Sequence, residues 1–141
     1  MIHATPFTVG LADTDALGVA YHPYALQLAQ RNLESWLARL GLPLADIINH
    51  HTWALPVVRV ELDWHQPLRL GTKGEARLTD IEVGSKSLTL THSIDTLDMA
   101  WMNRAGDPIA ATVKVVHACV DLRSPHESRP LPTILTDLLP S

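Results

Sequence analysis

Residues 23–40 carry one apolar stripe, Leu26, Ala29, Leu33, Trp36, Leu37 and Leu40, at three- and four-residue spacing, with Gln27, Gln30, Arg31, Glu34 and Arg39 on the other faces. That is the period of an amphipathic helix. Pro23 suits the first turn, where a missing N–H would be unpaired anyway, and Gly41 followed by Pro43 supplies the stop. A single long helix with one apolar stripe has to bury it against something broad, most simply a sheet.

The chain beyond this helix changes to period two. Val58, Val60, Leu62 and Trp64 alternate with Arg59, Glu61, Asp63 and His65, which predicts a half-buried strand ending near Pro67. Three more strands are predicted over 73–83, 86–101 and 108–122, joined through Gly84-Ser85 and through 103–107. A first strand is expected over 5–11, ended by Asp13, a loop or short helical turn over 46–51, and a short terminal helix within 129–139 from Leu131, Ile134, Leu135, Leu138 and Leu139. Strand, long helix, then four strands in consecutive hairpins is an α+β chain with its helix on a mostly antiparallel sheet of about five strands. A length of 141 residues fits one domain, 1–141, with no internal repeat.

Composition narrows the function. The chain is 46% hydrophobic and 18% charged, with a net charge of −4 and no Lys/Arg cluster, so nucleic acid is not an expected partner. No apolar run approaches the ~20 residues of a membrane helix, so no membrane insertion is expected. The start, Met1-Ile2-His3-Ala4-Thr5, lacks a basic n-region and apolar h-region, and the lone Cys119 has no intramolecular disulfide partner. A cytoplasmic location is the expectation. His50, His51, His65, His92, His117 and His126 follow no zinc spacing and Cys119 has no Cys-x-x-Cys partner, so no metal is expected. No Gly-x-Ser-x-Gly elbow or phosphate-cradling glycine loop occurs.

Chemistry concentrates in Asp13-Thr14-Asp15-Ala16-Leu17-Gly18-Val19-Ala20-Tyr21-His22-Pro23, directly before the helix. A carboxylate that serves as base or nucleophile, beside helix N-terminal N–H groups that receive an oxyanion, is what acyl transfer from a thioester or ester requires. The helix dipole adds roughly half a positive charge there. Gly18 lets the loop turn tightly and brings backbone near a substrate. Each residue also has a plainer reading: Asp13 and Asp15 as turn-bracing side chains, His22 as a solvated helix-start residue, and Trp36 and Trp64 as core.

The same segment, with Arg31 and Trp36-Leu37 on the helix, resembles the signature of hot-dog-fold acyl-CoA thioesterases, nearest the 4-hydroxybenzoyl-CoA thioesterase group and its Tol-Pal-associated relatives. Val57-Val58-Arg59, Asp63-Trp64 with Pro67, and Ala118-Cys119-Val120-Asp121 extend the resemblance over nearly the whole chain. It implies an acyl-CoA thioesterase in which Asp15 is the catalytic carboxylate, as nucleophile or as base on water. The position of His22 is that of the backbone N–H that polarises the thioester carbonyl in the aromatic-CoA branch, and of a histidine whose side chain is implicated in the Tol-Pal-associated branch. Gly18, Tyr21, Tyr24, Val58, Arg59 and Lys86 are the expected substrate-binding residues, Lys86 toward the nucleotide end of CoA. The CoA thioester is the substrate, no cofactor is implied, and acyl carrier protein is a possible alternative carrier.

The chain departs from the family pattern at Leu11, where the Tol-Pal-associated branch has tyrosine, at Tyr24-Ala25, where Asn-Tyr is common, and at Gln30, where glutamate is common. A single-layer sheet with one helix leaves one face uncovered, and the resemblance implies a homodimer with a continuous sheet, pairing further into a homotetramer, with the active site between subunits. Val57, Val58 and Arg59 are placed along that seam. Two alternatives share the fold: a non-catalytic module that binds acyl-CoA or acyl carrier protein, and an acyl-thioester dehydratase or hydratase, for which no acid-base pair is seen.

Overall fold

A computed structural model describes residues 1–98 and 106–140. Its long helix, α1 (His22–Arg39), lies on a five-stranded antiparallel sheet of order β1-β4-β5-β6-β3, formed by β1 (His3–Thr8), β3 (Val57–Trp64), β4 (Lys73–Val83), β5 (Ser87–Thr96) and β6 (Ile109–Ala118). The α+β expectation holds in type, order and strand number. The helix starts one residue earlier and ends one residue earlier than its pattern predicts, and the 46–51 turn is a full short helix, α2 (Leu44–His50). The terminal helix is shorter than expected, one turn at α3 (Thr133–Thr136). Pro132 at its N-cap and Pro140 beyond it leave little room for more.

Two corrections concern strands. The predicted strand over 108–122 breaks after Ala118, and its remainder joins a separate three-stranded sheet, β2 (Trp53–Ala54), β7 (Val120–Asp121) and β8 (Ser124–Ser128). Strands this short carry too few residues to show a period. The predicted extension of β5 to Trp101, and most of the turn at 103–107, lie outside the described residues.

The helix stripe buries Tyr24, Ala25, Leu28, Ala29, Leu33, Trp36 and Leu37. One face of the sheet receives it through Phe7, Ala76, Leu78, Leu88, Leu90, Ile94, Ala111 and Val113, all buried. The opposite face is polar; Arg59 lies there, paired with Glu61, and Asp95 is bonded to Ser93 and to Arg77. The core is closest at Gly74, where an added Cβ would overlap the Asp95 carbonyl oxygen and the Phe7 ring.

The sheet ends in two unlike edges. β1 is short and interrupted by Pro6, which blunts that edge against further pairing. β3 is eight residues long and bonded only to β6. Its expected alternation is half right: a bulge between Val57 and Arg59 puts Val57, Val60, Leu62 and Trp64 opposite the core residues of β6 and leaves Val58 at the edge. Instead of being half-buried, Val57, Val58 and Val60 are 46%, 62% and 41% exposed, because nothing in one chain covers them.

Gly74→Ala should lower unfolding free energy by about 1–3 kcal/mol through overpacking at the β1–β4–β5 contact, read as a shift in the urea midpoint with unchanged slope.

Candidate active site

The acidic loop is a closed, backbone-bonded turn. Asp15 N–H donates to the Val19 carbonyl at 3.0 Å, Gly18 N–H donates to the Asp15 carbonyl at 3.1 Å, and Thr14 and Ala20 form a bridge. Gly18 takes φ +73° with open space where a Cβ would stand, so the backbone angle, not crowding, calls for glycine there. The loop is anchored to the β3–β4 connection by Ala20 N–H on the Leu68 carbonyl, 2.7 Å, and Leu70 N–H on the Gly18 carbonyl, 3.0 Å.

The two acids do different work. Asp13 is spent on structure: its Oδ2 accepts the Gly10 N–H at 2.9 Å. Asp15 uses Oδ1 to accept the Leu17 N–H at 2.8 Å, and its Oδ2 has no partner among the described residues and faces solvent. The turn folds Asp15 back beside Val19, three residues ahead of the start of α1. There the His22 N–H, at the first helical position, makes no hydrogen bond among the described residues, and Pro23 has none to offer. A free carboxylate oxygen and a free N–H at a helix N-terminus suit attack on a carbonyl and stabilisation of the oxyanion that results. A hollow of about 340 Å³ opens next to the loop, lined by Val19, Ala20, Trp64, His65, Gln66 and Pro67. Trp64 is 36% exposed in its wall, against the core role expected for it, whereas Trp36 is in the core.

The other expected site residues divide. Gly18, exposed Tyr21 and His22 stay with Asp15. Tyr24 does not: it is 2% exposed, edge-on to Phe7, and donates its hydroxyl to the Thr8 carbonyl at 3.3 Å, and burial pushes its phenol pKa up. Lys86 is exposed in the β4–β5 turn, at the opposite end of the sheet from Asp15, roughly 30 Å away by the length of β4. Val58 and Arg59 sit at the same far end, on the free edge and the polar face.

A second cavity, about 160 Å³, lies between α1 and the β3 side of the sheet. Ala29, Leu33, Val60 and Val115 wall it, Gln30 and Val57 stand at its exposed mouth, and His92 and His117 supply its polar surface. Both histidines are nearly fully buried, at 1% and 2% exposure. His92 Nδ1 bonds Asn32, which is itself fully buried. The amide of Asn32 is satisfied when its nitrogen donates to the Ala76 carbonyl at 3.1 Å and to Thr5 Oγ1 at 2.7 Å, and its oxygen accepts from Leu78 N–H and His92 Nδ1, each at 3.1 Å. His117 Nδ1 donates to the Leu55 carbonyl at 3.0 Å. Burial and the neighbouring His117 hold His92 down to about pKa 4, and burial lowers His117 as well.

The sequence reading singled out none of this cluster, though it left a trace. His92 falls in phase with Leu88, Leu90 and Ile94, His117 with Val113, Val115 and Cys119, and Asn32 within the helix stripe. Polar residues in an apolar phase mark a buried polar network or a site.

The profile of the Thioesterase-like superfamily matches residues 9–139. A 1,4-dihydroxy-2-naphthoyl-CoA hydrolase of Synechocystis is 30% identical over 124 residues, 88% of this chain and 84% of the relative. One from Thermosynechococcus vestitus is 28% identical over 135 residues, 95% of this chain and 86% of the relative. The solved 1,4-dihydroxy-2-naphthoyl-CoA thioesterase from Synechocystis superposes with TM-score 0.83 at 27% identity, covering 96% of this chain and 93% of that one. A gentisyl-coenzyme A thioesterase shares the fold with TM-score 0.78 at 20% identity, covering 96% and 98%. Among the described residues no helix is long and apolar enough to cross a membrane.

The His92 shift carries a pH consequence. Its folded pKa lies below the ordinary 6.5, so between pH 6.5 and about 4 the unfolded chain holds a proton that the folded one does not. Stability is therefore full above pH 6.5 and falls by about 3 kcal/mol as pH drops to 4. Urea unfolding at stepped pH should show that loss, and His92→Gln should flatten it.

Proposed function

The chain belongs to the Thioesterase-like superfamily, with its hot-dog fold, and is a thioester hydrolase; from that membership we propose that it cleaves aromatic acyl-CoA thioesters, with Asp15 as the working carboxylate and the His22 N–H as oxyanion donor. The observation that supports this is the loop itself: a carboxylate oxygen without a partner among the described residues, in the turn that leads into α1, and a free N–H at the start of that helix. In the attack step, Asp15 either takes the proton from a water that adds to the thioester carbon, or adds to that carbon itself and is released by water. In both, negative charge forms on the carbonyl oxygen, where the His22 N–H and the helix dipole stabilise it, and CoA leaves as the thiol. An aromatic acyl group is supported by the named substrates of the relatives.

The working unit in this reading is a homodimer joined along β3. The strand is long, its edge is unpaired and its apolar residues are exposed, a combination that invites pairing. Antiparallel pairing of two copies near the middle of β3 sets Val57 of one beside Trp64 of the other. The cavity at Val57 and Gln30 of one protomer then meets the Asp15 loop and hollow of its partner, and Lys86 comes to the same seam from the far end of its sheet. Gln30, at the mouth of the cavity, is eight residues, about 12 Å, along α1 from His22, and Leu26 in its wall is four.

Thiol release from a panel of aromatic and aliphatic acyl-CoAs tests the assignment. Asp15→Asn should lose ~100-fold or more in kcat while keeping the wild-type urea midpoint, and aromatic substrates should lead the panel. Binding of acyl-CoA with no thiol release by the wild type would replace the enzyme with a binding module. In parallel, Val58→Lys, on the exposed edge and outside the cavity wall, should shift the protein to monomer in light scattering and depress release from every substrate alike.

A further inference from the structure

We propose that the cavity between α1 and the sheet holds the aromatic ring of the substrate and that a hydroxyl on that ring donates its hydrogen bond to Nε2 of His92 or of His117. The proposal rests on the thioesterase reading for the identity of the ligand, but its geometry stands apart from Asp15. Three observations on the cavity converge.

Its size and walls suit one ring. A cavity of about 160 Å³ walled by Leu26, Ala29, Leu33, Val60 and Val115 matches the scale of an apolar cavity near 150 Å³ that takes up benzene. Its mouth opens toward the exposed β3 edge at Val57 and Gln30, where the seam with a second copy would bring the thioester carbonyl.

Inside the mouth, where Gln30 stands, its polar surface consists of two histidine acceptors. A carbonyl oxygen cannot donate, so the Leu55 carbonyl fixes the proton of His117 on Nδ1. The Asn32 amide, oriented by Ala76 and Leu78, presents its oxygen to His92 and fixes that proton on Nδ1 too. Each ring stays neutral at pH 7 because burial disfavours the charged form. Both Nε2 atoms are left as acceptors without a partner among the described residues, on side chains more than nine-tenths buried that line the cavity.

Each Nε2 opens onto the cavity, so a ring that displaces water from it without offering a donor leaves the nitrogen unpaired, whereas a ligand that donates to it replaces the lost hydrogen bond. A phenolic hydroxyl is such a donor. A carboxylate is not, and an unsubstituted ring leaves both nitrogens bare. Sites built to bond a substrate hydroxyl discriminate strongly against the analogue that lacks it, which assigns the specificity to hydroxylated aroyl groups. The second nitrogen accommodates a second hydroxyl or a bridging water.

Two measurements test this. The first needs neither a variant nor catalysis: the wild-type protein is titrated with phenol and with benzene while the histidine Nε2 resonances are followed by long-range ¹H–¹⁵N NMR. Phenol should bind ~10-fold more tightly than benzene and move the Nε2 signal of His92 or of His117, with benzene leaving both in place. Equal affinity, or unmoved Nε2 signals, overturns the proposal. The second compares kcat/KM for hydroxybenzoyl-CoAs, with the hydroxyl at each ring position, against benzoyl-CoA. The wild type should favour at least one hydroxylated substrate ~10-fold or more, and His92→Leu or His117→Leu should bring that ratio to within ~2-fold while still cleaving benzoyl-CoA. An unchanged ratio in both variants overturns the hydroxyl reading with hydrolysis intact. If no thioester is cleaved at all, the hydrolase reading fails, and the phenol titration alone decides the cavity.

Discussion

The contact between the apolar stripe of α1 and one face of the five-stranded sheet is the constraint on which the rest of the structure depends. Leu28, Leu33, Trp36 and Leu37 are each at most 4% exposed, and side chains of that size contribute about 1.5–3 kcal/mol apiece when fully buried. Once those residues are seated, the helix cannot slide or roll without exposing them. Its N-terminus is thereby fixed at one end of the sheet, where the backbone of residues 68–70 binds the acidic loop. The position of Asp15 in the turn before α1 follows from helix seating combined with loop anchoring.

Inside that apolar contact sits one polar centre. Asn32 occupies the stripe where a leucine would pack, and burying an amide there is costly unless every donor and acceptor is met. All four are, by groups on β1, β4 and β5, so the amide ties the helix to three strands at once. The same bonds determine the tautomer of His92, and through it what the cavity can accept. A side chain in the core thus decides the chemistry of a surface-accessible hollow. A leucine at this position would fill the core equally well and leave His92 free to turn either nitrogen toward the cavity.

How much of this the sequence discloses depends on how far apart the interacting residues stand. The helix, its Pro23 start and the strand periods are local patterns and can be read directly, as can the Asp13–His22 loop, because its bonds span fewer than ten residues. Features that depend on distant partners escape. Val58 looks buried by alternation until the bulge at Val57/Arg59 and the lack of a neighbouring strand place it at the edge. Tyr24 follows the motif closely enough to pass for a substrate contact, yet Phe7 and the Thr8 carbonyl take it into the core. β2, β7 and β8 pair residues far apart in the chain over two to five positions, too few for a period to emerge. His92 and His117 were legible only as misfits in an apolar phase, and their meaning required knowing that Asn32 and Leu55 claim their Nδ1 atoms.

The free edge of β3 and the ring cavity are two aspects of one incompleteness. Val57 and Val60 belong to both: they are the exposed apolar residues of the edge and part of the cavity's boundary. A protomer alone keeps these valines in water and holds a cavity whose mouth stays open. In the proposed dimer one remedy would meet both, a second copy paired antiparallel along β3, because two-fold symmetry exchanges the Val57 end of one strand for the Trp64 end of the other. That contact would bury the valines and bring the partner's acidic loop toward the mouth. On this reading the exposed edge is part of the catalytic design, and a substitution that spoils pairing has to impair turnover even though it touches neither the carboxylate nor the oxyanion donor.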